Sequence, residues 1–153
     1  MPLRGISVLV VEDDRDHRDL ARDMLTVLGA RVTVATNGED GVKRLIKDGC
    51  PDLVLCDLRM PVMDGFEFAR EVRTHSPCRH VRLVALTAIR DPVAYTRTWS
   101  AGYDAHLEKP LTPEKLEDLA ARLLSGHGIV GGPTYRVGHA VPLATQREDG
   151  KHR

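Results

Sequence analysis

Short apolar runs alternate with amphipathic stretches along the first 125 residues or so. Ile6 to Val11 is a run rich in valine. From Arg15 to Leu28, the residues Leu20, Ala21, Met24, Leu25 and Leu28 recur at helical spacing, and Gly29 reads as a stop. Arg31 to Ala35 is a second short run. Asn37 can cap a helix that continues to about Asp48, with Val42, Leu45 and Ile46 as its apolar positions. Leu53 to Cys56 is a third run, and Asp64 can cap a helix carrying Phe66, Phe68, Ala69 and Val72. Val81 to Leu86 is a fourth run. Asp91-Pro92 then reads as an N-cap followed by a proline in the first helical turn, opening a helix with Tyr95 and Trp99 that ends near Gly102. Ala105 to Leu107 is a fifth run. Thr112-Pro113 opens a last helix to about Ser125, with Leu116, Leu119, Ala120, Leu123 and Leu124 apolar.

The apolar runs are too short and too rich in valine to keep a helical period. Five strand-then-helix units in succession predict an α/β domain: a five-stranded parallel sheet with helices on both faces and right-handed crossovers. The domain is expected to span residues 1–125. Residues 126–153 differ, with six of the thirteen glycines and three of the seven histidines, and read as a flexible tail. Within them Tyr135, Val137, Val141 and Leu143 fall at even spacings, which leaves open an added strand.

At 153 residues, 42% apolar and 29% charged, the composition is that of one globular domain. The 22 basic residues are balanced by 22 acidic ones, which argues against a nucleic-acid surface as the main function. No apolar run approaches the ~20 residues of a membrane helix. The three cysteines, Cys50, Cys56 and Cys78, are odd in number and lack a C-x-x-C pair or a preceding signal peptide. They predict reduced thiols in a cytoplasmic protein, with Cys56 a small buried hydrophobe.

Candidate chemistry collects where the predicted strands end. Strand one runs into Glu12-Asp13, strand three into Asp57, strand four into Thr87 and strand five into Lys109-Pro110. In open parallel sheets the site lies beyond the carboxyl ends of the strands, where strand order reverses. For the order 2-1-3-4-5 that point falls between strands one and three, so three carboxylates converge there. Two unit charges ~4 Å apart repel by roughly 1 kcal/mol in water and ~4 kcal/mol at an effective dielectric near 20. Three acids therefore call for a divalent cation or for raised pKa values. An all-oxygen site with few protein ligands suits Mg²⁺. With a hydroxyl and an ammonium beside it, the set suits phosphoryl transfer, with Asp57 as the nucleophile that becomes an aspartyl phosphate. Taken singly, each residue has a plainer reading: a cap or turn aspartate, which Asp14 is expected to be, a threonine bonding local backbone, or a solvated loop lysine. Four of five strands ending this way outweighs those readings.

The stretches VLVVEDD, PDLVLCDLRMPVMDG, LVALTA and AGYDAHLEKPLT resemble, in order, the receiver domain of two-component response regulators, a flavodoxin-like fold. The resemblance covers residues 4 to about 125. It implies that Asp57 accepts the phosphoryl group, that Asp13 binds Mg²⁺ directly and Glu12 through water, and that the Arg59 carbonyl adds a ligand. It implies that Thr87 and the Ala88 amide hold phosphoryl oxygens, that Lys109 pairs with them, and that Lys109-Pro110 is cis. Arg59 and Ile89 would govern water access. The phosphodonor would be a histidine kinase, a phosphotransfer protein or a small acyl phosphate. Such a chain catalyses its own phosphorylation and dephosphorylation as a signalling switch.

The resemblance has one departure. The family's aromatic switch position falls on His106, whose strand parity is opposite to that of Lys109, so it is expected to face the fourth helix near Tyr95 and Trp99. With no helix-turn-helix or basic helix, output is expected through protein contacts. These would use the face formed by the fourth helix, fifth strand and fifth helix, towards a downstream target or a second copy of the chain, with no nucleic-acid or membrane partner. Two alternatives stand beside this reading: a phosphorylation-independent pseudo-receiver, and a receiver segment of a larger hybrid kinase. A dehalogenase-like phosphatase would want an acid two residues after Asp57, where Arg59 stands. A cofactor-binding flavodoxin would not place Asp14-Arg15-Asp16 in its phosphate loop.

Overall fold

The computed structural model describes residues 1–88 and 92–124, without the side chains of 92–94 and 123–124. Its elements run β1 (Ser7–Val11), α1 (Arg15–Val27), β2 (Arg31–Ala35), α2 (Gly38–Asp48), β3 (Leu53–Asp57), α3 (Gly65–His75), β4 (Arg82–Thr87), α4 (Pro92–Ala101), β5 (Ala105–Glu108) and α5 (Pro113–Leu124). The five strands form one parallel sheet in the order β2-β1-β3-β4-β5. The parallel sheet is the one the alternation predicts, and its order is that of the flavodoxin-like receiver fold implied by the resemblance. Ile89, the Asp91 cap and the tail with its Tyr135–Leu143 alternation lie outside the described residues.

Residues next to each other in a strand face opposite sides of the sheet, and here both sides are covered. Val8, Val10, Leu53, Leu55, Val84 and Leu86 face α1 and α5, where Ala21, Leu25, Leu116 and Leu119 meet them. Leu9, Val11, Val54, Cys56, Leu83 and Ala85 face the other way, against Leu45 of α2 and Phe68, Ala69 and Val72 of α3. Two-sided burial is why the central strands read as unbroken apolar runs. Edge strand β2 is covered less, and its pattern is mixed.

The caps follow the sequence. Asp14 accepts from the His17 amide at 2.9 Å, and Asn37 from the Asp40 amide at 2.8 Å. Asp64 and Glu67 form a reciprocal capping box at the start of α3.

Three expectations are corrected. Leu20 is 49% exposed and Ile46 65% exposed, although their spacing places them with the buried faces. Each lies about 100° around its helix from the residue that does reach the sheet, Ala21 or Leu45. The cysteines are not all free thiols: Cys50 and Cys78 form a disulfide, and only Cys56 remains free and buried. They lie 28 residues apart, and the fold brings their Cα atoms to 5.4 Å, a proximity that sequence spacing does not reveal.

Candidate functional site

Strand register assembles the acid cluster. Val11 pairs with Cys56 across β1 and β3, so the residues that follow, Glu12 and Asp57, stand side by side at the carboxyl ends of these strands. Ligand atoms of Glu12, Asp13 and Asp57 all lie within 4.8 Å of one another. Glu12 is buried, Asp57 half-buried and Asp13 exposed.

The buried member is held at both ends. The Glu12 carboxylate accepts the Asp14 amide at 3.0 Å and the Lys109 ammonium at 3.0 Å. Arg18 reaches back from α1 to the Glu12 and Asp13 carbonyls at 3.0 and 3.3 Å. Asp57 is fixed by the Leu58 amide, which donates to its Oδ1 at 2.9 Å, and lies 3.4 Å from Lys109 Nζ. Lys109 thus bridges Asp57 and Glu12. Burial alone would lower its pKa, but Asp57 and Glu12 outweigh that and raise it above the ordinary amine value. The Lys109-Pro110 bond is cis, and the Lys109 amide donates to the Thr87 carbonyl at 2.8 Å.

The loop after Asp57 is held by close backbone approach. A Cβ at Gly65 would stand 2.4 Å from the Asp57 carbonyl oxygen and 2.7 Å from Leu58 Cα, so only glycine fits there. The Gly65 amide donates to the Leu58 carbonyl, and the Gly38 amide of α2 to the Met63 carbonyl, each at 3.0 Å. Buried Tyr103 donates its hydroxyl to the Gly65 carbonyl at 2.8 Å. Burial holds the Tyr103 phenol and the neighbouring Cys56 thiol far above their ordinary pKa values, so both stay neutral.

The remaining predicted residues separate into two groups. Thr87 ends β4, buried, and Ala88 follows it at the exposed rim, while Arg59 is exposed in the loop after Asp57. His106 lies apart, fully buried on the α4 side, as its parity predicts. Its ring packs edge-on against Tyr95 and Trp99 with centroids 4.5 Å apart, and its Nε2 bonds Thr98 Oγ1. Sequence reasoning missed Arg18, Tyr103 and the Gly38–Met63 contact. Tyr103 stood in a quoted motif, but nothing in the sequence shows a hydroxyl reaching a carbonyl 38 residues away.

A cavity of about 340 Å³ adjoins the cluster between α1 and the β5–α5 connection. Val10, Leu20, Ala21, Leu86 and Leu111 give it an apolar wall, and Glu12, His17 and Lys109 lie at its polar side.

The response regulator receiver domain family matches residues 8–121, and the chain belongs to that family. It is 38% identical over 114 residues to an uncharacterized 14.6 kDa protein in the sodA1 3′ region of Leptolyngbya boryana, covering 74% of this chain and 86% of that one. It is 33% identical over 122 residues to the sensor histidine kinase CheAY of Helicobacter pylori, covering 79% of this chain and 15% of the kinase. Among solved structures it resembles the receiver domain of sensor histidine kinase PA1611 from Pseudomonas aeruginosa, whose crystals hold a magnesium ion coordinated in the active-site cleft. That match has 31% identity, a TM-score of 0.72, and coverage of 80% of this chain and 99% of that one. Receiver domains bind Mg²⁺ at an acidic pocket and interact with histidine kinases or phosphotransfer proteins. The chain thus spans most of one relative and a small part of another. No helix among the described residues is long and apolar enough to cross a membrane.

Proposed function

We propose that residues 1–125 form a phosphoacceptor receiver. In this reading Asp57 takes a phosphoryl group from a histidine kinase, a phosphotransfer protein or a small acyl phosphate, and the change alters protein contacts. One observation carries it: Glu12, Asp13 and Asp57 converge, and among the described residues only one cation, Lys109, is ion-paired with their carboxylates. Three carboxylates against one ammonium leave a formal charge of −2 in an all-oxygen cluster, which fits a hard divalent ion such as Mg²⁺. Asp13, Asp57 and the Arg59 carbonyl would hold the ion, with Glu12 assisting through water. Bound there, it would neutralise the developing charge on phosphoryl oxygens.

The chain's own groups do the rest. An Asp57 carboxylate oxygen attacks phosphorus, and the bond from phosphorus to the donor's nitrogen or oxygen breaks as the leaving group departs. The Leu58 amide fixes the attacking carboxylate. Lys109, kept protonated by its two acids, is placed to exchange its contact with Asp57 for one with a phosphoryl oxygen, and the Thr87 hydroxyl and Ala88 amide take the others. The donor would approach over the cavity beside Leu20. Buried His106, in the place of the family's aromatic switch, would pass the Thr87 state to α4, and α4, β5 and α5 would meet the downstream target or a second copy of the chain. A cytoplasmic location fits this role, and neither nucleic acid nor membrane is needed.

The test is incubation with acetyl phosphate and Mg²⁺. One acid-stable, base-labile phosphoryl group should appear on Asp57, vanish in Asp57→Asn and fall strongly in Asp13→Asn or with a chelator. Labelling that persists in Asp57→Asn and in chelator would overturn the assignment. No labelling under any condition would leave a pseudo-receiver.

A further inference from the structure

Distinct chemistry lies at the other end of the sheet. Cys50 follows Gly49, the C-cap of α2, and precedes β3, while Cys78 lies between α3 and β4. Their disulfide is asymmetric: Cys78 is 2% exposed, whereas Cys50 is open to solvent. Cys50 also lines a cavity of about 350 Å³ between α2 and the β1–β2 edge of the sheet.

The wall of that cavity holds two guanidinium groups, Arg31 and Arg44, and one carboxylate, Asp48. Arg31 is exposed on edge strand β2 and makes no ion pair among the described residues. Arg44 lies 4.0 Å from Asp40 and 3.8 Å from Asp48, long and half-solvated contacts of the weak surface kind. The residues that line the cavity thus carry one more positive than negative charge, beside the exposed Cys50.

We propose that this disulfide is a reversible modification site for a small anionic thiol, one carrying a carboxylate or sulfonate group. The thiolate attacks Cys50 Sγ, the reachable sulfur. A new S–S bond joins Cys50 to the small thiol, the Cys50–Cys78 bond breaks, and Cys78 leaves with the electron pair. Buried Cys78 takes a proton from water, and the Leu45 carbonyl oxygen, 3.9 Å from its sulfur, lies within reach of the resulting S–H. No net oxidation occurs, and attack by Cys78 on the adduct restores the starting state. The exchange frees the end of α2 from the α3–β4 turn. In a reducing compartment, disulfides are characteristically transient and redox-sensing.

The experiment uses the full chain in its oxidised form, with 2-mercaptoethanesulfonate and 2-mercaptoethanol as anionic and neutral probes, compared per unit of thiolate at low ionic strength. Peptide mass spectrometry after acid quench should place the adduct on Cys50, with Cys78 a free thiol that alkylates once the quenched protein is unfolded. The sulfonate should react at least about fivefold faster, the ratio expected of one close charge contact in water. The advantage should disappear in 0.5 M salt and in Arg31→Gln/Arg44→Gln, the salt arm serving if that variant folds poorly. An adduct on Cys78, equal rates for the two thiols, or a disulfide inert until the protein is unfolded would each overturn the proposal.

Discussion

At the carboxyl ends of the strands three carboxylates meet and one lysine pairs with two of them, whereas at the amino ends of β4 and β5 both members of the Arg73–Asp104 pair are answered. Arg73, in the last turn of α3, donates Nε to the Gly102 carbonyl at 2.9 Å, Nη1 to the Arg79 and Val81 carbonyls at 2.7 Å, and Nη2 to Asp104 at 2.8 Å. The same Asp104 oxygen accepts the Leu83 amide at 3.0 Å. The disulfide and the Ser7–Asp52 hydrogen bonds brace the same rim. The acid rim carries unspent negative charge that a cation can use, whereas at the amino ends of β4 and β5 the charge is closed by pairing within the chain.

Breaking the closed rim should have the largest effect on stability. Arg73 and Asp104 side chains are 20% and 8% exposed, so Arg73→Ala leaves a nearly buried carboxylate with one partner fewer. The expected loss is about 3 kcal/mol, read from urea unfolding, with Asp57 labelling of the folded fraction unchanged. A loss below about 1 kcal/mol would place the pair among ordinary surface bridges.

At the acid rim the sign should reverse. Asp13 is exposed and adds negative charge to a cluster already in excess. Without Mg²⁺, Asp13→Asn should raise stability by about 1 kcal/mol at low salt, while weakening phosphorylation. Added Mg²⁺ should stabilise the native protein more than the variant and close that gap. Equal Mg²⁺ stabilisation of both would remove Asp13 from the proposed ligand set.

The two rims were also unequally legible in the sequence. The parallel sheet and the acid cluster could be anticipated because the acids follow directly on apolar runs and the parallel fold puts the strand ends on one side, while the order 2-1-3-4-5 is implied by the resemblance to receiver domains. Asp14, Asn37 and Asp64 announced themselves as caps by local spacing. The closed rim depends instead on contacts between distant segments: Arg73 with Gly102 and Asp104, and Cys50 with Cys78. No periodicity encodes them. The odd cysteine count pointed away from a disulfide, because parity says nothing about which thiols the loops bring together. Leu20 and Ile46 misled for a related reason: helical spacing defines an apolar stripe, but the sheet decides how wide a stripe is covered.

The loop following Asp57 offers a smaller effect. Val62 has φ 71°, and the Met63 amide donates to the Pro61 carbonyl at 2.8 Å, a tight turn that β-branched residues rarely adopt. Its side chain is 73% exposed, so little packing opposes its removal. Val62→Gly should relieve backbone strain of order 1 kcal/mol, partly offset by glycine's greater freedom when unfolded, for a net gain of about 0.5 kcal/mol. A net loss in urea unfolding would show that the turn is unstrained.

The smallest effect concerns Lys109, the cation paired with Glu12 and Asp57, and it is confined to alkaline pH. Burial opposes its charge, but Asp57 and Glu12 raise its pKa above the ordinary 10.5. A group whose pKa is raised by folding stabilises fully below its unfolded value, near ~10.4, and loses that contribution as pH climbs through the folded value. The stability difference between the native protein and Lys109→Gln should therefore stay level from pH 7 to about 10 and shrink only above that. Chemical denaturation of both proteins across pH 7 to 11.5 measures it. A difference that already falls below pH 9 would mean that the two acids do not outweigh burial, and the bridge from Asp57 to Glu12 would not hold the lysine charged. A difference unchanged to pH 11.5 would mean that Lys109 stabilises through its packing rather than through its charge.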